Sequence, residues 1–169
     1  MSWSAPAASP GSVIKSKSVR VVLQRVSRAS VSIEGSVVGQ IGVGLLALIG
    51  VADGDTDTEA DSLAAKIAEL RLFPSEGEET GMERSVSEIG GGVLAVSQFT
   101  LLGDCRKGRR PSWLAAARPE EAQRLYERVV TRLRERGIEI QTGIFRARME
   151  VSLTNEGPVT VLLDSRKTF

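Results

Sequence analysis

The chain has 169 residues, 41% hydrophobic and 25% charged, and its 22 basic and 21 acidic side chains leave a formal charge of +1. That composition suits one soluble globular domain with a substantial core, and any attraction to polyanions must come from local clustering of charge. There is no histidine and a single cysteine, Cys105, which excludes Ser-His-Asp and Cys-His catalysis, an intramolecular disulfide and a thiolate zinc site, and points to a reducing, cytoplasmic compartment.

Residues 1–18 hold six serines, Pro6, Pro10, Lys15 and Lys17 and no acid, and read as a disordered tail preceding a single domain over 19–169. The tail lacks the apolar stretch of a secretory signal and the arginines of a transit peptide. No segment of the chain has the apolar length of a membrane span.

From Val19 the pattern is that of a strand: Val19, Val21 and Leu23 alternate with Arg20, Val22 and Gln24. Val31 to Ile33 and Val37 to Ile41 then flank Glu34-Gly35, a hairpin signal. Leu45 to Val51 is a continuous apolar run ending at Asp53-Gly54, which predicts a central strand covered on both faces. Thr56-Asp57-Thr58-Glu59 has capping-box spacing, and Ala60, Leu63, Ala64 and Ile67 follow at helical intervals, predicting a helix that ends near Arg71. Residues 75–92 are rich in Glu, Ser and Gly; Gly90-Gly91-Gly92 reads better as a flexible entry to a strand than as a phosphate loop.

Val93 to Val96 form that strand and deliver Ser97-Gln98-Phe99-Thr100-Leu101 to its end. Pro119 opens a second helix with an apolar stripe of Ala122, Leu125, Val129, Val130 and Leu133, stopped by Gly137. Arg124, Arg128 and Arg132 share another face, which the interspersed Glu120, Glu121, Glu127 and Glu135 make a solvated surface in preference to an RNA-binding one. Three strands follow, over 138–142, 149–153 and 159–163. Strands, helix, strand, helix, strands does not fit Rossmann alternation. The expected fold is a mixed α/β domain, a two-sheet barrel-like or sandwich arrangement with two main helices on one outer side.

Four stretches carry candidate chemistry. Gly103 to Arg110 offers the glycines of a P-loop, but Arg109 and Arg110 stand where lysine and a hydroxyl are required, so nucleotide triphosphate hydrolysis is rejected. Arg106, Lys107, Arg109 and Arg110 remain a cationic cluster suited to phosphates. Cys105 beside them is a bystander, since no histidine can serve as its base. Ser97, Gln98 and Thr100 either satisfy a strand end or form an oxyanion site with Thr100 as nucleophile or relay, a substrate hydroxyl standing in for the missing base. Asn155-Glu156-Gly157-Pro158-Val159-Thr160 is either a plain turn or a Gly157-Pro158 pair with a cis bond that presents two carbonyls side by side.

Taken in order, these segments resemble the D-aminoacyl-tRNA deacylases, formerly D-tyrosyl-tRNA deacylases. The series runs from Val22-Leu-Gln-Arg-Val26 and Arg28-Ala-Ser-Val31 through Gly44-Leu45-Leu46, Val96-Ser-Gln-Phe-Thr-Leu101 and Lys107-Gly-Arg-Arg-Pro-Ser112. It continues with Leu125-Tyr126, Thr142-Gly143 with Phe145, and Asn155 to Thr160. The resemblance implies a homodimer with cross-subunit active sites that hydrolyses the ester joining a D-amino acid, or glycine mischarged on tRNA-Ala, to the terminal adenosine of tRNA. It implies no metal and no cofactor. It places Ser97, Gln98, Phe99 and Thr100 at the catalytic site, with either Thr100 or the substrate's 2′-hydroxyl activating the attack. It also implies that Gly157-Pro158 is a Gly-cisPro motif that excludes L-residues from the partner's pocket, with Arg25 holding it, and that Arg106, Lys107, Arg109 and Arg110 bind tRNA. Two departures stand out: Glu156 where aspartate is frequent, and Arg146 where a small residue usually follows Phe145. The competing classes are a noncatalytic RNA-binding module, which the 4% aromatic content disfavours for want of stacking platforms, and a small-molecule enzyme, which leaves the cationic cluster unexplained.

Overall fold

The long first strand organises the molecule. In the computed structural model, which describes residues 18–167, the order is β1 (Arg20–Ile33), β2 (Ser36–Ile41), β3 (Gly44–Gly50), α1 (Asp57–Glu69), β4 (Arg71–Phe73), β5 (Arg84–Ser85) and β6 (Gly92–Ser97). A 3-10 turn (Phe99–Leu102), α2 (Pro119–Glu135), β7 (Glu139–Thr142) and β8 (Glu150–Asp164) complete it. Six strands form one sheet in the order β2-β1-β3-β6-β7, with β8 also paired to β1. β1 accommodates three neighbours because its first half lies between β3 and β8 and its second between β2 and β8. The sheet curls until β2 meets β7, where a Cβ on Gly39 would lie 2.7 Å from Thr142 O. With β4 and β5 as a small second sheet, this is the expected barrel-like mixed α/β fold.

Local chemistry explains the elements. Glu34 and Gly35 both have positive φ, 49° and 80°, as a two-residue hairpin between β1 and β2 demands. In β3, Leu45, Ala47 and Ile49 face one apolar cluster with α1 and α2, while Leu46 and Leu48 face a second with Val26, Val31, Leu94 and Val96. A strand buried on both faces needs a continuous apolar run. Gly44 sits opposite Gly92 in the parallel β3–β6 ladder, and a Cβ there would overlap the Gly92 carbonyl.

Helix α1 begins with the capping box that Thr56 and Glu59 form, and α2 begins with Pro119 in its first turn. The two pack together and exchange ion pairs. Arg128 reaches Asp57 at 2.8 Å and Asp61 at 2.7 Å, and Arg132 reaches Asp61 at 3.0 Å. On this partly exposed face the arginines bind the acids of α1, and Arg128 and Arg132 hold the Asp61 carboxyl well below the usual carboxylate range.

Three expectations need correction. Residues 75–92 are not wholly flexible, since β5 within them pairs β4. The strands expected over 149–153 and 159–163 are one strand, β8, interrupted opposite Arg25: Gln24 pairs Thr160 and Val26 pairs Asn155, so residues 156–159 bulge outward against one residue of β1. Within that bulge the Gly157–Pro158 bond is trans, there being no cis peptide bond among the described residues. Gly157 there has φ 103°, in the region that favours glycine. The expected tail falls outside the described residues except for Ser18, which is fully buried and donates its Oγ–H to Asp164 Oδ2 at 2.8 Å.

Candidate functional site

The parallel pair β3 and β6 ends at one rim of the sheet, and a cavity of about 520 Å³ opens there. Loops at the carboxyl ends of parallel strands are free to diverge, so crevices form at that edge. β6 contributes Val96 and Ser97, the start of the 3-10 turn after it Gln98 and Phe99, the residue just beyond β3 is Val51, and α2 contributes Pro119 and Ala122. Ala116 and Ala117, from the segment leading into α2, and Phe145 to Ala147, between β7 and β8, close the walls.

Each wall is fixed by main-chain bonds. Gln98 N donates to Ile49 O at 2.7 Å, which carries the strand register one residue past β6. Ala117 N donates to Val51 O and Asp53 N to Ala115 O, at 3.0 and 2.9 Å, tying the alanine segment to the end of β3. Behind that segment lies Asp55, 5% exposed, whose Oδ2 accepts from Ala52 N at 2.7 Å. Burial pushes its carboxyl up to about 6. Behind Phe145 stands Tyr126, ring centroids 6.5 Å apart, with its hydroxyl donating to Ala95 O at 2.9 Å. Burial raises that hydroxyl to about 12, so it remains a donor at neutral pH.

Ser97, Gln98 and Phe99 thus share the cavity; Thr100 is not among its lining residues but is tied to one of them, Gln98 Nε2 donating to Thr100 Oγ1. Leu101 N is the first amide of the 3-10 turn to reach a backbone acceptor, Gln98 O at 3.2 Å. The N–H groups of Phe99 and Thr100 precede that bond and have no acceptor within the turn. Phe99 is 55% exposed and meets Trp113 edge to face at 5.9 Å. The cationic loop follows, closed at its base by the Asp104–Ser112 backbone pair. Arg106 turns back onto Asp104 at 2.6 Å, whereas Lys107, Arg109 and Arg110 are exposed and make no ion pair among the described residues.

Arg25, Gly157 and Pro158 do not reach this cavity from within the same chain. Arg25 is 5% exposed, donates from Nη1 to Leu72 O at 2.6 Å, and backs Gly157 so closely that a Cβ there would collide with its Nη2. Asn155 Nδ2 brackets the bulge, donating to Arg25 O at 2.9 Å and Val159 O at 3.0 Å. The sequence pattern did not single out the alanine wall, whose signal was only a run of small residues before Pro119; Arg146, noted as a departure after Phe145, is one of the cavity residues.

The sequence profile of the D-Tyr-tRNA(Tyr) deacylase family matches residues 22–164. A D-aminoacyl-tRNA deacylase of Koribacter versatilis is 57% identical over 89% of this chain and 100% of its own length. One of Symbiobacterium thermophilum is 58% identical over 89% and 99%. Among solved structures, a c-Myc DNA Unwinding Element Binding Protein superposes with a TM-score of 0.79 at 36% identity, covering 85% of this chain and 97% of its own. A probable eukaryotic D-amino acid tRNA deacylase superposes at 0.77 with 19% identity, covering 87% and 99%, a likeness of fold.

Proposed function

The chain belongs to the D-Tyr-tRNA(Tyr) deacylase family, and from that premise we propose that it is a chirality-proofreading ester hydrolase that releases D-amino acids, and glycine mischarged on tRNA-Ala, from the terminal adenosine of tRNA. The observation that carries the reading is the Ser97–Thr100 strand end opening onto the cavity, with amide donors at its rim and unpaired cations on the adjoining loop. The ester carbonyl would rest against the Phe99 and Thr100 N–H groups, which stabilise the tetrahedral oxyanion without a metal or a charged side chain. In a chain without histidine, the vicinal 2′-hydroxyl of the ribose orients and activates the attacking water, and Thr100 supports it by hydrogen bonding. Lys107, Arg109 and Arg110 hold the phosphates of the acceptor end.

The active unit in this reading is a homodimer. Among the described residues β8 pairs only β1, an edge of the kind that natural proteins cover, and it exposes Leu153 and Leu162. The exposed Gly157-Pro158 bulge, braced by Arg25, enters the partner's cavity and admits the α-hydrogen of a D-residue while its carbonyls obstruct an L side chain. The test is incubation with matched D- and L-tyrosyl-tRNA. Release of the D-amino acid alone is expected, and equal inertness towards both esters would overturn the assignment in favour of a noncatalytic RNA-binding module.

A further inference from the structure

The cavity has apolar and neutral polar walls with one exception, Arg146. Its side chain is exposed and makes no ion pair among the described residues. The backbone holds it in place: φ is 65°, in the left-handed region, and Ala147 N closes the turn onto Ile144 O at 3.2 Å. An arginine with no protein partner among the described residues, set in a conformation that glycine would adopt more easily and lining a largely apolar cavity, is placed for a ligand and not for the fold. Ser97 and Gln98, where the ester would sit, line the same cavity.

We propose that Arg146 is a specificity-determining residue that binds an anionic oxygen group of the substrate, an inference that rests on the deacylase reading of the cavity. A planar guanidinium offers paired N–H donors, which match a carboxylate or a phosphodiester. Two parts of the substrate carry that chemistry close to the ester: the phosphate linking the terminal adenosine to the preceding nucleotide, and the side-chain carboxylate of a D-aspartyl or D-glutamyl ester.

Arg146→Gly tests this, since glycine accepts the observed φ and the substitution removes the charge while keeping the turn; Arg146→Lys restores a charge. Each variant is assayed on D-tyrosyl-tRNA, D-aspartyl-tRNA and 3′-O-(D-tyrosyl)adenosine, which has no phosphate. If the phosphate is the anion, Arg146→Gly raises KM roughly tenfold on both tRNA esters, leaves kcat in place and does nothing on the nucleoside ester. If the carboxylate is the anion, only D-aspartyl-tRNA suffers. In either case Arg146→Lys recovers part of the loss. Unchanged KM on all three substrates, or equal loss on all three, overturns the proposal. Should the wild type turn over none of them, the deacylase reading falls by itself. Calorimetric titration of adenosine 5′-monophosphate and of D-aspartate then decides the anion site: binding weakened in Arg146→Gly supports it, and equal or absent binding to wild type and variant refutes it.

Discussion

Gln98 donates its side-chain amide to the Thr100 hydroxyl across the start of the 3-10 turn, so Thr100 spends a lone pair on a donor and has no base on its proton. A hydroxyl held in this way is a hydrogen-bond relay and a poor nucleophile. Thr100→Ala should therefore lower kcat by about three- to tenfold, the worth of one hydrogen bond, and should not abolish it. Trapping a D-acyl ester on Thr100 by rapid quench and mass spectrometry would show covalent catalysis and reverse this conclusion.

The cationic loop makes a graded prediction. Lys107→Ala, Arg109→Ala and Arg110→Ala should each weaken binding to all tRNAs alike and reduce the salt slope of log K by about 0.7 to 0.9 for each phosphate no longer neutralised. Arg106→Ala should do less, because its guanidinium is already committed to Asp104. Filter-binding titrations across a salt series measure both quantities. An unaltered slope in the triple variant would leave the loop as a solvated turn.

Gly157→Ala probes the bulge. The added methyl meets Arg25 Nη2, and the residue must also hold φ 103°, so the carbonyls on either side have to move. Because the bulge is exposed, the fold should survive while rejection of L-aminoacyl-tRNA weakens. A folded Gly157→Ala protein that still excluded every L-ester would remove the bulge from chiral selection.

Asp55 gives the pH dependence a definite sign. Its folded pKa, about 6, lies above the ordinary 3.8, so the native state holds a proton that the unfolded chain has released. The stability tied to that proton is complete below about pH 4 and is lost as pH rises through 6, a change on the order of 2 to 3 kcal/mol. Asp61 acts oppositely through its lowered pKa and loses its contribution only in stronger acid. Urea denaturation at pH 5 and pH 7 should show wild type weakening relative to Asp55→Asn as pH rises. Parallel behaviour of the two proteins would mean that the Asp55 carboxylate is solvated in the native state.

Gly44→Ala should be among the most damaging substitutions in the sheet, since the methyl overlaps the Gly92 carbonyl across a parallel ladder that has no slack on either face. Overpacking of this kind costs about 1 to 3 kcal/mol or more. The thermal midpoint reads it directly, and Ala at Gly35, where nothing crowds the Cβ position, serves as the control for conformational strain alone.

Much of this architecture was legible because local and global signals agree. Thr56 with Glu59, Pro119, and the unbroken apolar run of β3 each fix an element without help from distant residues. What escaped was set by long-range pairing. β5 has two residues and exists only because β4 lies beside it, and β8 reads as two strands because its bulge is tuned to Arg25, 132 positions from Gly157 in a chain of 169. The arginine stripe of α2 was visible, but its partners on α1 follow from how the helices pack, which no periodicity reveals. In the site, residue types identified the strand end and marked Arg146 as a departure, whereas the alanine wall became a functional candidate only once loops from different places met.

Trp113 and Trp3 are the two tryptophans of the chain, and Trp113 meets Phe99, a cavity residue, edge to face, with its Nε1 beside Gly103. The molecule therefore carries its own fluorophore beside the cavity. In a Trp3→Phe background the emission comes from one indole, 40% exposed to water, and whatever displaces that water shifts the spectrum to the blue. Occupancy can then be followed in a stopped-flow cuvette without label or turnover, for D- and L-esters alike.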